Sequence, residues 1–230
     1  MNRENDSIAI ILANRQYVYT LLQRIFGNEP SKESLTVIIG EQTKEYLELF
    51  FDHDDDTFRD FLSLLEELKQ SVSVNTDETL DKLQREYTHL MIGPNKLPAP
   101  PWESVYRSEA RVIFQESTLI VRRAYLNYNF LPANYPHEAD DHIALELDFM
   151  AHLAKLLLES FEENQIEEVK KLLADQKSFL EEHLLTWVGQ FAEQIQNSKT
   201  HYFYPQIAEM THQFLQIDAE IINELFSLLE

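Results

Sequence analysis

The chain has 230 residues, 44% apolar and 26% charged, a balance that fits a globular domain with a real core and excludes disordered and fibrous polymers. Lys and Arg number 19 against 40 Asp and Glu, and the formal charge of −21 repels nucleic acid and anionic membranes while attracting cationic partners. The same charge also serves solubility with no specific partner. Cys is absent, which removes disulfides, thiolate metal sites and cysteine nucleophiles.

The apolar run Ile8 to Ala13 is short and follows Glu4 and Asp6, unlike a secretory h-region, and no run has the length of a membrane span. A cytoplasmic location is expected. Ile8, Ile11, Val18, Leu22 and Ile25 line one face of a first helix, with Gly27 placed to end it in the left-handed conformation. Leu47 to Phe51 reads as a further helical piece. Asp52, Asp54 and Asp56, around His53, imitate the start of a calcium loop. Thr57 stands where that loop needs glycine and Ser63 where it needs the bidentate Glu, so a solvated acidic linker is expected.

Phe58, Phe61, Leu62, Leu65 and Leu68 make one amphipathic stripe, and Leu80, Leu83, Tyr87, Leu90 and Met91 another. Four prolines then fall between Pro94 and Pro101. Residues before proline are pushed to extended geometry, so the segment is expected to be non-helical and to present Trp102 and Tyr106. It serves either as a rigid connector or as a binding surface. Arg122-Arg123 lies mid-chain with no following apolar stretch and is not an export signal.

A helix over about Asp140 to Ser160 carries Ile143, Leu147, Met150, Ala154 and Leu157 on one face and Leu145, Phe149 and Leu156 on a second. Asp141, Asp148, His152, Lys155 and Glu159 form a narrow polar wedge. Such a helix belongs in the middle of a bundle. Leu172 to Trp187 is helical in pattern, with Gly189 marking a bend. Ile207, Met210, Phe214, Ile217, Ile221, Leu225 and Leu228 form a last helix with Pro205 in its first turn. The four glycines are too scattered for a phosphate-binding loop. The reading is an all-α, single-domain bundle over residues 1–230 with a proline-rich central loop.

Titratable groups gather in His137-Glu138-Ala139-Asp140-Asp141-His142. Carboxylates at a helix start cap free N–H groups, which accounts for Glu138, Asp140 and Asp141 but not for the imidazoles. The i,i+4 pairs Glu138/His142, His142/Glu146 and Asp148/His152 suit either a metal or ordinary ion pairs, and no zinc-peptidase motif is present.

Two motifs together carry a resemblance. One is Glu86-Tyr87-Thr88-His89-Leu90-Met91-Ile92-Gly93-Pro94 with Leu97-Pro98-Ala99-Pro100-Pro101-Trp102-Glu103-Ser104-Val105-Tyr106; the other is Glu138-Ala139-Asp140-Asp141-His142. In order and separation they resemble the TorD/DmsD family of redox enzyme maturation chaperones, whose Glu-Pro-x-Asp-His signature is matched except that Ala139 replaces proline, a departure expected to loosen the hinge.

The resemblance implies an all-helical cytoplasmic chaperone with no reaction, cofactor or metal of its own. Such a chaperone binds the twin-arginine leader and precursor of a molybdopterin-dependent oxidoreductase and holds it from export until cofactor loading. The leader site it implies comprises Leu90, Gly93, Pro94, Pro98, Trp102, Tyr106, Glu138, Asp141 and His142, carboxylates for the guanidinium groups beside an apolar groove. An unperturbed His142 would add pH sensitivity. Nucleic acid and stable membrane insertion are not expected; monomer and domain-swapped dimer are both open. Two other readings are an assembly chaperone that recognises the mature part of a partner enzyme, and a small helical metalloenzyme using Glu138, His142 and Glu146.

Overall fold

A computed structural model describes residues 3–52, 54–94, 96–108, 112–113, 115–132 and 138–229. His53, Asn95 and His137 lie outside the described residues. The elements are α1 (Arg3–Gly27), α2 (Lys32–Ile38), α3 (Glu41–Leu47), α4 (Asp56–Tyr87), α5 (Glu103–Arg107), α6 (Glu116–Asn127), α7 (Ile143–Glu162), α8 (Ile166–Phe179), α9 (Leu185–Gln196) and α10 (Tyr204–Leu228). Wide π turns follow α4 at Thr88–Ile92 and α8 at Leu180–Leu184. Among the described residues the architecture is all-α, and no helix is long and apolar enough to cross a membrane.

The doubly apolar α7 is the central helix, its main neighbours being α1 and α8. Gly27 allows the α1 contact: a Cβ there would lie 2.9 Å from that of Ala144. It therefore serves close packing, and the left-handed conformation expected of it belongs to Gly93 instead. Gly189 likewise lies within α9, where the His212 ring of α10 would meet a Cβ at 3.0 Å. The interruption expected there falls earlier, at the π turn. The helical piece expected over Leu47 to Phe51 ends at Leu47, and Glu48 to Phe51 are turn. The helix precedes that turn as α3, fixed by the Thr43 hydroxyl donating to Val37 O at 2.7 Å, while Phe50 and Phe51 turn into the core.

The acidic linker has a local task, because Asp55 Oδ1 accepts from Phe58 N at 3.1 Å and caps α4. The two stripes expected around 58–91 form one helix kinked at Asn75 (φ −156°, ψ 95°), whose Oδ1 accepts from Glu78 N at 3.2 Å to restart the turn. Pro205 sits in the first turn of α10 as expected. That helix start is also held by Glu86, whose carboxylate accepts from the backbone N–H groups of Tyr202, Phe203 and Tyr204 at 2.8–3.2 Å. In the core, the Arg15 guanidinium meets both oxygens of Asp218 and donates to Gln176 Oε1 at 2.6 Å, while Tyr19 Oη donates to Asp218 Oδ2 at 2.6 Å. This knot ties α1 to α8 and α10.

Candidate functional site

The proline-rich segment and the start of α7 are one structure. After the π turn, Gly93 takes φ 100°, a conformation open to glycine, and its N–H donates to Thr88 O at 2.9 Å. The prolines then keep the chain extended until Trp102 pairs antiparallel with His142. Ile143 N donates to Pro101 O and Glu103 N to Asp141 O, both at 2.9 Å. The extended geometry ends at Trp102. The expectation that no residue up to Tyr106 is helical is corrected, because α5 begins at Glu103, once the last proline is passed.

Asp141 is 0% exposed, and both oxygens are taken: Oδ2 accepts from Ser104 N at 2.8 Å and Oδ1 from Thr118 Oγ1 at 2.9 Å. It therefore caps α5, not its own helix, and stands beneath the surface on which it was expected. Asp140 caps nothing either; Arg122 Nε donates to its carboxylate at 2.7 Å. The capping role falls to His142, whose Nδ1 accepts from Ala144 N at 3.1 Å. That contact needs a neutral ring. Burial lowers the His142 pKa against the opposing charges of Glu138 and Asp141. Burial thus favours the neutral ring that the cap requires.

Glu138 and Trp102 are half-buried neighbours, with indole Nε1 donating to Glu138 Oε1 at 2.8 Å. The indole meets the His142 ring edge-on at 5.7 Å. Ala139, in place of the signature proline, uses the N–H that proline would lack to donate to Glu138 Oε1 at 3.0 Å, and its carbonyl accepts from His142 N at 3.1 Å. These two bonds hold the turn that leads into α7. Burial, with the charges of Glu29 and Glu138, pushes the Tyr87 hydroxyl up to about 12.

The remaining candidates separate. Leu90 is fully buried beneath the turn. Gly93 and Pro94 line an open cleft of ≈ 450 Å³ with Glu29, Asp81, Arg85 and Lys96, and Pro98 is half-buried. Tyr106 does not stand beside Trp102: α5 turns it toward α9, 5.3 Å from the Trp187 ring.

A second layer, which residue spacing could not show, supports this surface. Glu103 and Glu146 are both 0% exposed. His183 Nδ1 donates to Glu103 Oε2 at 3.0 Å, and Arg107 pairs with the same carboxylate. Burial raises the Glu103 carboxyl, but these donors and Glu146 outweigh it and hold it below the ordinary value. Glu146 lies well above its ordinary value, first through burial and then through the charge of Glu103. Its raised value favours the neutral form; Trp187 Nε1 donates to Glu146 Oε2 at 3.1 Å, and Oε1 is buried with no hydrogen-bond partner among the described residues. Glu138, His142 and Glu146 consequently face different partners, and no group of three potential metal ligands converges among the described residues.

The family model "Nitrate reductase delta subunit" matches residues 52–193. A Haemophilus influenzae protein named "Probable Tat proofreading chaperone DmsD" is 32% identical over 199 residues, 85% of each chain. The chaperone protein TorD of Aliivibrio salmonicida is 28% identical over 191 residues, 79% of this chain and 87% of its own. TorD of Vibrio cholerae serotype O1 El Tor is 26% identical over 224 residues, 96% of this chain and 97% of its own. A crystal structure described as a redox enzyme maturation protein from Archaeoglobus fulgidus shares the fold, with a TM-score of 0.51 at 22% identity over 88% of this chain and 93% of that one. The chain belongs to the nitrate reductase delta subunit family and, within it, to the TorD/DmsD redox enzyme maturation chaperones, which are not enzymes.

Proposed function

We propose that the chain works in the cytoplasm by binding the twin-arginine leader of a molybdopterin-dependent oxidoreductase and holding the precursor from export until its cofactor is loaded. The observation that carries this reading is the fusion of the two motifs. Trp102 and Glu138, 36 residues apart, form one half-exposed aromatic and anionic edge, and its backbone is fixed by the Trp102–His142 bridge and the Asp141 clamp. A leader offers guanidinium groups followed by an apolar stretch, and a pre-ordered carboxylate beside an aromatic face suits the first part of it. The names of the relatives, a Tat proofreading chaperone and the TorD chaperones, support the same partner class.

Calorimetry with a synthetic leader peptide tests the reading. Trp102→Ala and Glu138→Gln are each expected to weaken binding by at least about 1 kcal/mol, and affinity is expected to fall with added salt. Folded variants that both bind like the parent would remove this edge from the site. Recognition of the client's mature part, the second reading, is favoured by the exposed Leu119, Ile120 and Leu126 on α6. Binding of a leaderless client with the parent's affinity would select it.

A further inference from the structure

We infer that the leader site continues away from Trp102 along the groove between α1 and α2, where Glu29 and Glu33 extend the anionic edge offered to the arginine pair and an apolar floor takes the residues that follow it. The inference rests on the leader-binding reading and adds an address for the part of the ligand that the Trp102 edge does not cover.

Three adjoining clefts make the groove. The cleft beside Gly93 and Pro94 shares Glu29 with a second of ≈ 460 Å³, floored by Leu21, Ile25, Val37 and Ile38. That one shares Leu21, Arg24 and Val37 with a third of ≈ 360 Å³, which ends at Tyr17 and Tyr46. The Tyr17 and Tyr46 rings meet edge-on at 4.4 Å and close the far end with aromatic surface. Val37 stands between the second and third clefts and is 38% exposed, a large apolar side chain left in water at the centre of the groove.

Charge and length select the occupant. Asp77 and Asp81 are already engaged by Lys32 and Arg85, both at 2.7 Å, whereas no salt bridge engages the exposed Glu29 or Glu33 among the described residues. Lys96 also lines the Gly93 cleft, which places the cation-accepting edge where the clefts meet at Glu29. Glu29 lines one cleft with Gly93 and Pro94, at the start of the segment that leads to Trp102, so this edge continues from that surface. Arg24, which is exposed, lines both the second and the third cleft. From Ala13 to Gly27, α1 runs about 21 Å at 1.5 Å per residue. An apolar leader segment of about 7–15 residues, taken as a helix, covers about 10–22 Å, so groove and ligand match in length as well as in the order of charge and apolar surface.

Photocrosslinking with the full chain tests this. The probe is a synthetic peptide with two arginines followed by about twelve apolar residues, carrying a benzophenone side chain at the apolar end. Mass spectrometry is expected to place the crosslink on α1 to α3, between Ala13 and Tyr46. Val37→Gln, an exposed substitution checked for folding by circular dichroism, is expected to weaken the peptide about five-fold or more. Crosslinks on the Trp102–Tyr106 segment with Val37→Gln binding like the parent would overturn the groove and leave the leader-binding reading standing. A peptide that fails to bind the parent overturns both.

Discussion

Two buried carboxylates, Asp218 and Asp141, show how differently this bundle treats one chemical group. Both are 0% exposed. Asp218 meets a buried cation, Arg15, and a phenol, and it joins segments 203 residues apart in the middle of the core. Asp141 accepts instead from a backbone N–H and a hydroxyl, and it joins a loop to a helix start beneath a half-exposed edge. The first arrangement neutralises charge within the core. The second uses charge to hold backbone in place, so that Trp102 and Glu138 are already positioned when a ligand arrives.

The largest effect tests the first arrangement. Asp218→Ala leaves the Arg15 guanidinium buried without its counter-ion and Tyr19 without its acceptor, and is expected to cost about 3–5 kcal/mol in denaturant unfolding. A loss below about 1 kcal/mol would mean that water reaches the knot. Asp141 separates clamp from receptor. Asp141→Ala frees two donors and is expected to cost about 1–3 kcal/mol of stability, with weaker leader binding as the loop loosens. Asp141→Asn keeps one oxygen for Ser104 N and offers an amide to the Thr118 hydroxyl, which can turn to accept. It is expected to bind leader within about 0.5 kcal/mol of the parent. Strong loss of leader with Asp141→Asn in a fully stable protein would return Asp141 to direct contact with guanidinium.

The two knots were unequally legible in the sequence. Helices such as α7 and α10 announce themselves because burial repeats at helical spacing, and Pro205 marks a start. Asp141 was visible as part of a motif, but its direction was not: a carboxylate at a helix start ordinarily caps that helix, and only the return of the proline-rich loop gives it Ser104 N instead. His142 as the cap was hidden by residue type. Arg15 and Asp218 carry no local signal at all, and Gly27 and Gly189 read as breaks because Ala144 and His212, which crowd them, are distant in sequence. Glu29 and Glu33 look like any solvated acids until α2 folds back over α1.

The Glu103–Glu146 pair lies between these extremes, and pH sharpens its place. Burial and then the Glu103 charge raise the Glu146 pKa well above the ordinary value, which favours its neutral form in the native state. The unfolded carboxyl titrates near about 4.3. Between that pH and the raised native value the folded chain holds one more proton than the unfolded chain, so this group makes stability fall as pH rises. Its contribution is complete below the unfolded pKa and disappears as pH passes through the native one. Glu146→Gln keeps an acceptor for Trp187 Nε1 but has no proton to lose. The variant is expected to match the parent's melting temperature near pH 4.5 and to gain on it steadily toward pH 7.5. His142, whose lowered pKa makes stability rise with pH below about 6.5, acts in both proteins and cancels in the difference. A difference that stays flat from pH 4.5 to 7.5 would show that Glu146 enters the native state ionised. The layer under Trp102 would then be held by charge repaid from Arg107 and His183, as Asp218 is repaid by Arg15, and the two regions would follow one rule.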